Sequence, residues 1–359
     1  MDTEFFHEGG LGVIRLNRPA VLNALGPAQF PVIHDQLRAW AEDASIGAVM
    51  IEGAGGRAFC AGGDIKAVWS ARQRGDMAAN HMLFRQEYTL NRAIHRYGKP
   101  YVAILNGLVM GGGAGLSLNG QYQVVTERTV FAMPEAAIGF FPDVGGTHFL
   151  SRAPGSLGLY LGLTGARLDA TDMLWAGLAT HYVPSAELDG LKRDLARAAG
   201  SADPAASVAQ VLAGVHRAPT HSSPWPDRMA VLEECFAAAD ISSVVARLEG
   251  RGEPWLADAA RLMAAASPTS LAVIFRQLTE GKGMSFEAAI AREYRMARAF
   301  LRGEEFFEGI RAALVDKDRT PRWAPATLAE VLAHGVDAFF APLDDELVFD
   351  QEGGCHGRA

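Results

Sequence analysis

Cysteine is scarce in this chain of 359 residues. Cys60, Cys235 and Cys355 are too few and too scattered for a disulfide framework, and no Cys/His spacing resembles a zinc site. An excess of basic residues is lacking too. A net charge of -8 and a pI near 5.7 argue against general nucleic-acid binding, which needs basic patches to neutralise phosphates, although a few local cations could still hold a phosphorylated ligand. The first residues, Met1-Asp2-Thr3-Glu4, are acidic and lack the basic start and apolar core of a signal peptide. No export is expected, and with so few thiols a reducing cytoplasm is the expected compartment. The one long uncharged stretch, Tyr101 to Leu118, is interrupted by Asn106, Ser117 and five glycines, so it reads as buried core rather than a membrane span.

What is present fits a folded soluble protein: 49% hydrophobic and 21% charged residues, in a chain long enough to bury a substantial core. The first half alternates apolar, strand-like runs (Leu11 to Leu16, Ala48 to Ile51, the stretch from Tyr101) with helical patterns at Ala28 to Asp43 and Met77 to Tyr97. This is an α/β pattern of strand-strand-helix units. From Ser156 onward the pattern turns helical, with Asp169 as an N-cap and further amphipathic helices over Ser270 to Leu278 and Ser285 to Leu301. Gly200 to Asp227, rich in Ala, Pro, Ser and His, reads as a boundary.

Two glycine-rich turns each follow a strand-like run and precede a helical one: Phe59-Cys60-Ala61-Gly62-Gly63-Asp64-Ile65 and Asn106-Gly107-Leu108-Val109-Met110-Gly111-Gly112-Gly113-Ala114-Gly115. Exposed backbone N–H groups on two such turns can converge on one oxygen and form an oxyanion hole for acyl chemistry, although isolated glycines more often serve tight turns. Downstream, Glu135 and Asp143 could supply acid, base or nucleophile. Each also has a plain structural use, Glu135 as a cap after Pro134 and Asp143 as the turn-former of Pro-Asp-Val-Gly.

These turns, Met133-Pro134-Glu135 and the segments Thr164 to Leu168 and Ala176 to Ala179 resemble the crotonase (enoyl-CoA hydratase/isomerase) superfamily. Phe131-Ala132-Met133-Pro134-Glu135 through Phe141-Pro142-Asp143-Val144-Gly145-Gly146, with Ser267 to Leu271 and Asp316-Lys317-Asp318, looks like its 3-hydroxyisobutyryl-CoA hydrolase branch. The resemblance implies a crotonase-like ββα spiral core over 1–200 and an extended, mainly helical region over 201–350; the tail 351–359 lacks apolar periodicity and is expected to be disordered. The resemblance further implies amides of Gly63 and Gly112 as the oxyanion hole, Glu135 and Asp143 as the catalytic pair, Glu87 as a substrate contact, and coenzyme A running along Ala61, Gly62, Asp64 and Ile65.

Gly115 departs from the hydratase pattern, which places a second catalytic glutamate there. Hydrolysis of a short 3-hydroxyacyl-CoA, foremost 3-hydroxyisobutyryl-CoA in valine breakdown, is therefore the expected reaction. A hydratase or isomerase, or a non-catalytic acyl-CoA-binding protein, is the alternative. Coenzyme A is then part of the substrate, no metal or redox cofactor is implied, and the superfamily habit is a homo-oligomer. Among other candidates, Glu87 reads locally as a solvated helix residue, Cys60 lacks a nearby His, His181 reads as structural, and Lys66 or Arg57 could meet coenzyme A phosphates.

Overall fold

The computed structural model describes residues 2–349. Among the described residues ten strands form two sheets: β1 (Thr3–Glu8), β2 (Leu11–Leu16), β3 (Ala48–Gly53), β4 (Ala58–Cys60), β5 (Tyr101–Leu105), β6 (Leu108–Met110), β7 (Tyr122–Val125), β8 (Val130–Ala132), β9 (Leu168–Asp169) and β10 (His181–Tyr182). The larger sheet runs β1-β2-β3-β5-β7-β10 and the smaller β4-β6-β8-β9. Only the β1–β2 and β8–β9 pairs are antiparallel. Each successive turn of the chain gives one strand to each sheet: β3 then β4, β5 then β6, β7 then β8. That is the ββα spiral, and it stacks the C-terminal ends of β4 and β6 side by side.

The central strands are apolar on both faces because both faces are covered. Along β3, Val49 and Ile51 face the main core while Ala48 and Met50 face a second cluster. That second cluster is closed by helices Leu188–Ala199 and Pro204–Val215, through Leu191, Leu195, Val208 and Leu212. The latter helix lies inside the segment whose composition reads as a boundary. Asp203 caps it by accepting the Ala206 N–H, Pro204 occupies the first turn where a missing N–H costs nothing, and alanine carries it onward.

Helix Met77–His95 crosses the first half, started by Asp76, whose carboxylate accepts the Ala79 N–H at 3.0 Å. The C-terminal third is helical as its periodicity predicts, and its helices Pro268–Gly281 and Phe286–Arg302 pack directly on the core. One continuous apolar cluster runs from Ile14 to Leu347, joining Phe140, Phe141 and Val144 of the first half to Phe300 and Phe306 of the second. Phe140 stacks on Phe306 and Phe141 on Phe300, at 4.3 and 5.6 Å between ring centres. Among the described residues no helix is long and apolar enough to cross a membrane. The tail 351–359 lies outside the described residues.

Candidate active site

The chain leaves β4 and β6 through the two glycine turns, and both turns open on the same cavity of about 550 Å3. Gly62 takes φ 108° and Gly111 φ 47°, backbone that a side chain would strain. In the first turn the amides of Ala61 and Asp64 are taken by Leu22 and Leu25 carbonyls, while no acceptor among the described residues takes the Gly63 N–H. Gly112 opens the helix Gly112–Ser117, so its own N–H has no intrahelical acceptor. The two turns touch: a Cβ on Gly112 would sit 3.4 Å from Gly63 N and 2.7 Å from Glu87 Oε1. Two unclaimed donors thus face one space.

Three buried carboxyls line it. Glu87 projects from helix Met77–His95, on the face that also brings Leu83 and Phe84 to the cavity; it is 4% exposed, which removes the solvated-face reading. Glu135 begins a short 3-10 turn after β8 and is 7% exposed, with Oε2 buried and unpartnered among the described residues. A Cβ on Gly111 would lie 3.2 Å from Glu135 Oε1, so this carboxyl stands over the second glycine turn. Asp143 is 6% exposed, and its backbone and side chain have separate partners. Its carbonyl accepts the Gly146 N–H at 2.7 Å to close a tight turn, while its carboxylate turns inward and accepts the Tyr88 hydroxyl at 2.8 Å.

Burial and mutual repulsion set the protonation of this group. Burial, then Asp143 and Glu135, push the Glu87 carboxyl well above the ordinary range; burial and then Asp143 do the same to Glu135. Burial lifts Asp143 to about 7 although the Tyr88 hydrogen bond pulls it down. Three buried carboxyls crowded into one cavity thus favour their protonated forms, and their titrations are linked.

Ala61, Asp64 and Ile65 line the same cavity, and so does Lys66 at its mouth. The Asp64 carboxylate is held by Arg18 at 3.4 Å. Arg57 and His181 lie outside the lining, His181 instead bonding Thr180 and packing on Tyr122 and His216. Cys60 is enclosed, and burial pushes its thiol up to about 12, leaving it a neutral packing group. At Gly115 a Cβ would sit 2.7 Å from both Asn91 Nδ2 and Val144 Cβ, so no glutamate fits where hydratases carry one. Residues that sequence reasoning passed over are Tyr88, next to Glu87, and Phe306, Ala313 and Leu314, which bring the C-terminal region to the cavity wall.

The enoyl-CoA hydratase/isomerase family model matches residues 11–340. The chain belongs to the enoyl-CoA hydratase/isomerase family. It is 44% identical over 339 residues to the mitochondrial 3-hydroxyisobutyryl-CoA hydrolase of Xenopus tropicalis, covering 93% of this chain and 87% of that one. To the mitochondrial 3-hydroxyisobutyryl-CoA hydrolase of Homo sapiens it is 42% identical over 343 residues, covering 94% and 87%. Among solved structures, a carnitinyl-CoA dehydratase from Mycobacterium thermoresistibile aligns with a TM-score of 0.90 at 40% identity, over 98% of this chain and 99% of that one. The crotonase-type spiral with its helical C-terminal region is thereby established. The cytoplasmic placement expected above is corrected by the relatives, which are named mitochondrial. Scarce cysteine bears on redox state and does not distinguish one reducing compartment from another.

The raised pKa of Asp143 has a consequence for stability. The folded protein keeps this proton between about pH 4, where an unfolded chain loses it, and about pH 7, so the contribution favours folding at low pH and is lost as pH rises through about 7. Asp143→Asn removes the buried charge. Thermal melts should find this variant more stable than the parent at pH 8, by on the order of 1 kcal/mol or more, with the gain fading toward pH 4. A pH-independent difference would show that the carboxyl is not held neutral by the fold.

Proposed function

We propose that the protein hydrolyses short 3-hydroxyacyl-CoA thioesters, foremost 3-hydroxyisobutyryl-CoA, as a step of valine breakdown. The observation that carries this reading is the meeting of two unclaimed glycine amides and three buried carboxyls in one cavity, with no carboxyl at Gly115. The curated relatives named 3-hydroxyisobutyryl-CoA hydrolase, at 42 and 44% identity, support the same substrate.

The amides of Gly63 and Gly112 receive the thioester oxygen and stabilise the charge that develops on it in the tetrahedral transition state. The pantetheine arm of coenzyme A leaves along Ala61 to Ile65. In its ionised form Glu135 brings the attacking oxygen to the carbonyl carbon, as its own carboxylate or as a water it deprotonates, its Oε2 being buried and unpartnered among the described residues. Asp143, steadied by Tyr88 and titrating near neutrality, exchanges the proton between water and the departing thiol. Glu87, beside Gly112, accepts the substrate's 3-hydroxyl.

The structural neighbour named as a dehydratase raises the rival reading. Elimination or hydration in this superfamily uses a glutamate at the position of Gly115, and that position is closed by Asn91 and Val144.

Two outcomes follow. With 3-hydroxyisobutyryl-CoA, free thiol should appear without an enoyl absorbance change, and Glu135→Gln should lower kcat by about 10²–10⁴-fold while the fold is retained. Enoyl absorbance without thiol release would favour the dehydratase reading. Glu87→Ala should weaken turnover of the hydroxylated substrate about 10-fold more than that of its deoxy analogue, roughly the value of one hydrogen bond. Equal loss on both substrates would remove Glu87 from hydroxyl recognition.

A further inference from the structure

A buried carboxyl behind the cavity takes no part in the chemistry above. Glu293 is fully enclosed on helix Phe286–Arg302, and both of its oxygens are used on the backbone of a loop far earlier in the chain: Oε2 accepts the Gly145 N–H and Oε1 the Thr147 N–H, each at 2.8 Å. That loop is the tight turn that presents Asp143. Its two middle residues, Val144 and Gly145, have φ 54° and 94°, and a β-branched residue such as valine enters the left-handed region only when its surroundings hold it there.

The surroundings are specific. Gln277 Nε2, from helix Pro268–Gly281, donates to Pro142 O at 2.7 Å and to Thr147 Oγ1 at 2.8 Å, and Asn119 Nδ2 donates to Val144 O at 2.9 Å. Two of these three clamps come from the helical C-terminal region. The choice of a carboxylate at 293 is itself informative. Burial pushes its pKa up to about 8, which an apolar residue would avoid, and an amide would turn an NH2 donor against one of the two backbone donors. A carboxyl offers an acceptor at each of two oxygens and so takes both N–H groups, and the turn so fixed leaves the Asp143 carboxylate against the Tyr88 hydroxyl and facing the cavity.

We infer that Glu293 is a positioning residue for thioester hydrolysis, holding the 143–147 turn so that Asp143 stays in its working place. The inference rests on the assignment of Asp143 to the reaction proposed above. The test is a double-mutant cycle on kcat and KM for thiol release from 3-hydroxyisobutyryl-CoA, using the full chain and its Asp143→Asn, Glu293→Gln and doubly substituted forms, with folding checked by circular dichroism.

Glu293→Gln should lower kcat about 100-fold, the usual effect of misplacing a reacting group by about 1 Å, with KM little changed because the oxyanion amides lie on other loops. In the Asp143→Asn background the same substitution should cost nothing further, since its target is already gone. Equal fractional loss in both backgrounds, or unchanged kcat in folded Glu293→Gln, overturns the inference and leaves the role of Asp143 standing. Parental turnover by Asp143→Asn overturns instead the assignment on which the inference rests. Should Glu293→Gln fail to fold, Gln277→Met, which removes the donor to Pro142 from the second helix, carries the same cycle. Failure of both to fold would mark the clamps as structural only and overturn the inference.

Discussion

Glu87, Glu135 and Asp143 share one cavity, and each is less than a tenth exposed. Desolvation and like-charge repulsion therefore act together on the same atoms, and the two effects have the same sign. Much of the remaining architecture can be understood as what holds these groups in place against that cost. The spiral stacks β4 beside β6, which brings two glycine turns together; helix Met77–His95 supplies Glu87 and the Tyr88 hydroxyl; and the C-terminal helices close the far wall. A group kept near neutral pKa inside such a cavity is suited to proton transfer near pH 7.

The C-terminal region is bound to the first half by the same apolar cluster that forms the core, and it reaches the site at two levels. Phe306, Ala313 and Leu314 form part of the cavity wall, while Glu293 and Gln277 grip the backbone behind Asp143. Stacked Phe140 and Phe306, and Phe141 and Phe300, fill the space between these levels. Wall and clamp are thus carried on elements that pack against each other.

The strand-strand-helix alternation was legible because β3 and β5 are continuous apolar runs, and Asp169 was legible as a cap through its local chemistry. The glycine turns were legible because their residue type serves geometry directly. Helix Pro204–Val215 was not: its proline and polar flanks resemble a linker, and its burial against the back of the sheet depends on residues distant in sequence. Glu87 is polar on a helix, and local pattern reads it as solvated; tertiary packing alone buries it. Glu293 left one trace, a carboxylate within the apolar stripe Ala289, Ile290, Ala297. A charged residue on a buried stripe calls for a partner, but the partner here is a backbone turn that no side-chain pattern reveals.

That a crowded, desolvated carboxyl set retains a proton at neutral pH is the claim on which the chemistry turns. Infrared difference spectra between the parent protein and its Glu135→Gln variant at pH 7, in protein labelled with 13C at the carboxyl groups, read the protonation state directly. The expected result is a protonated-carboxyl C=O stretch that responds to the substitution. A spectrum showing only ionised carboxylates at pH 7 would contradict it.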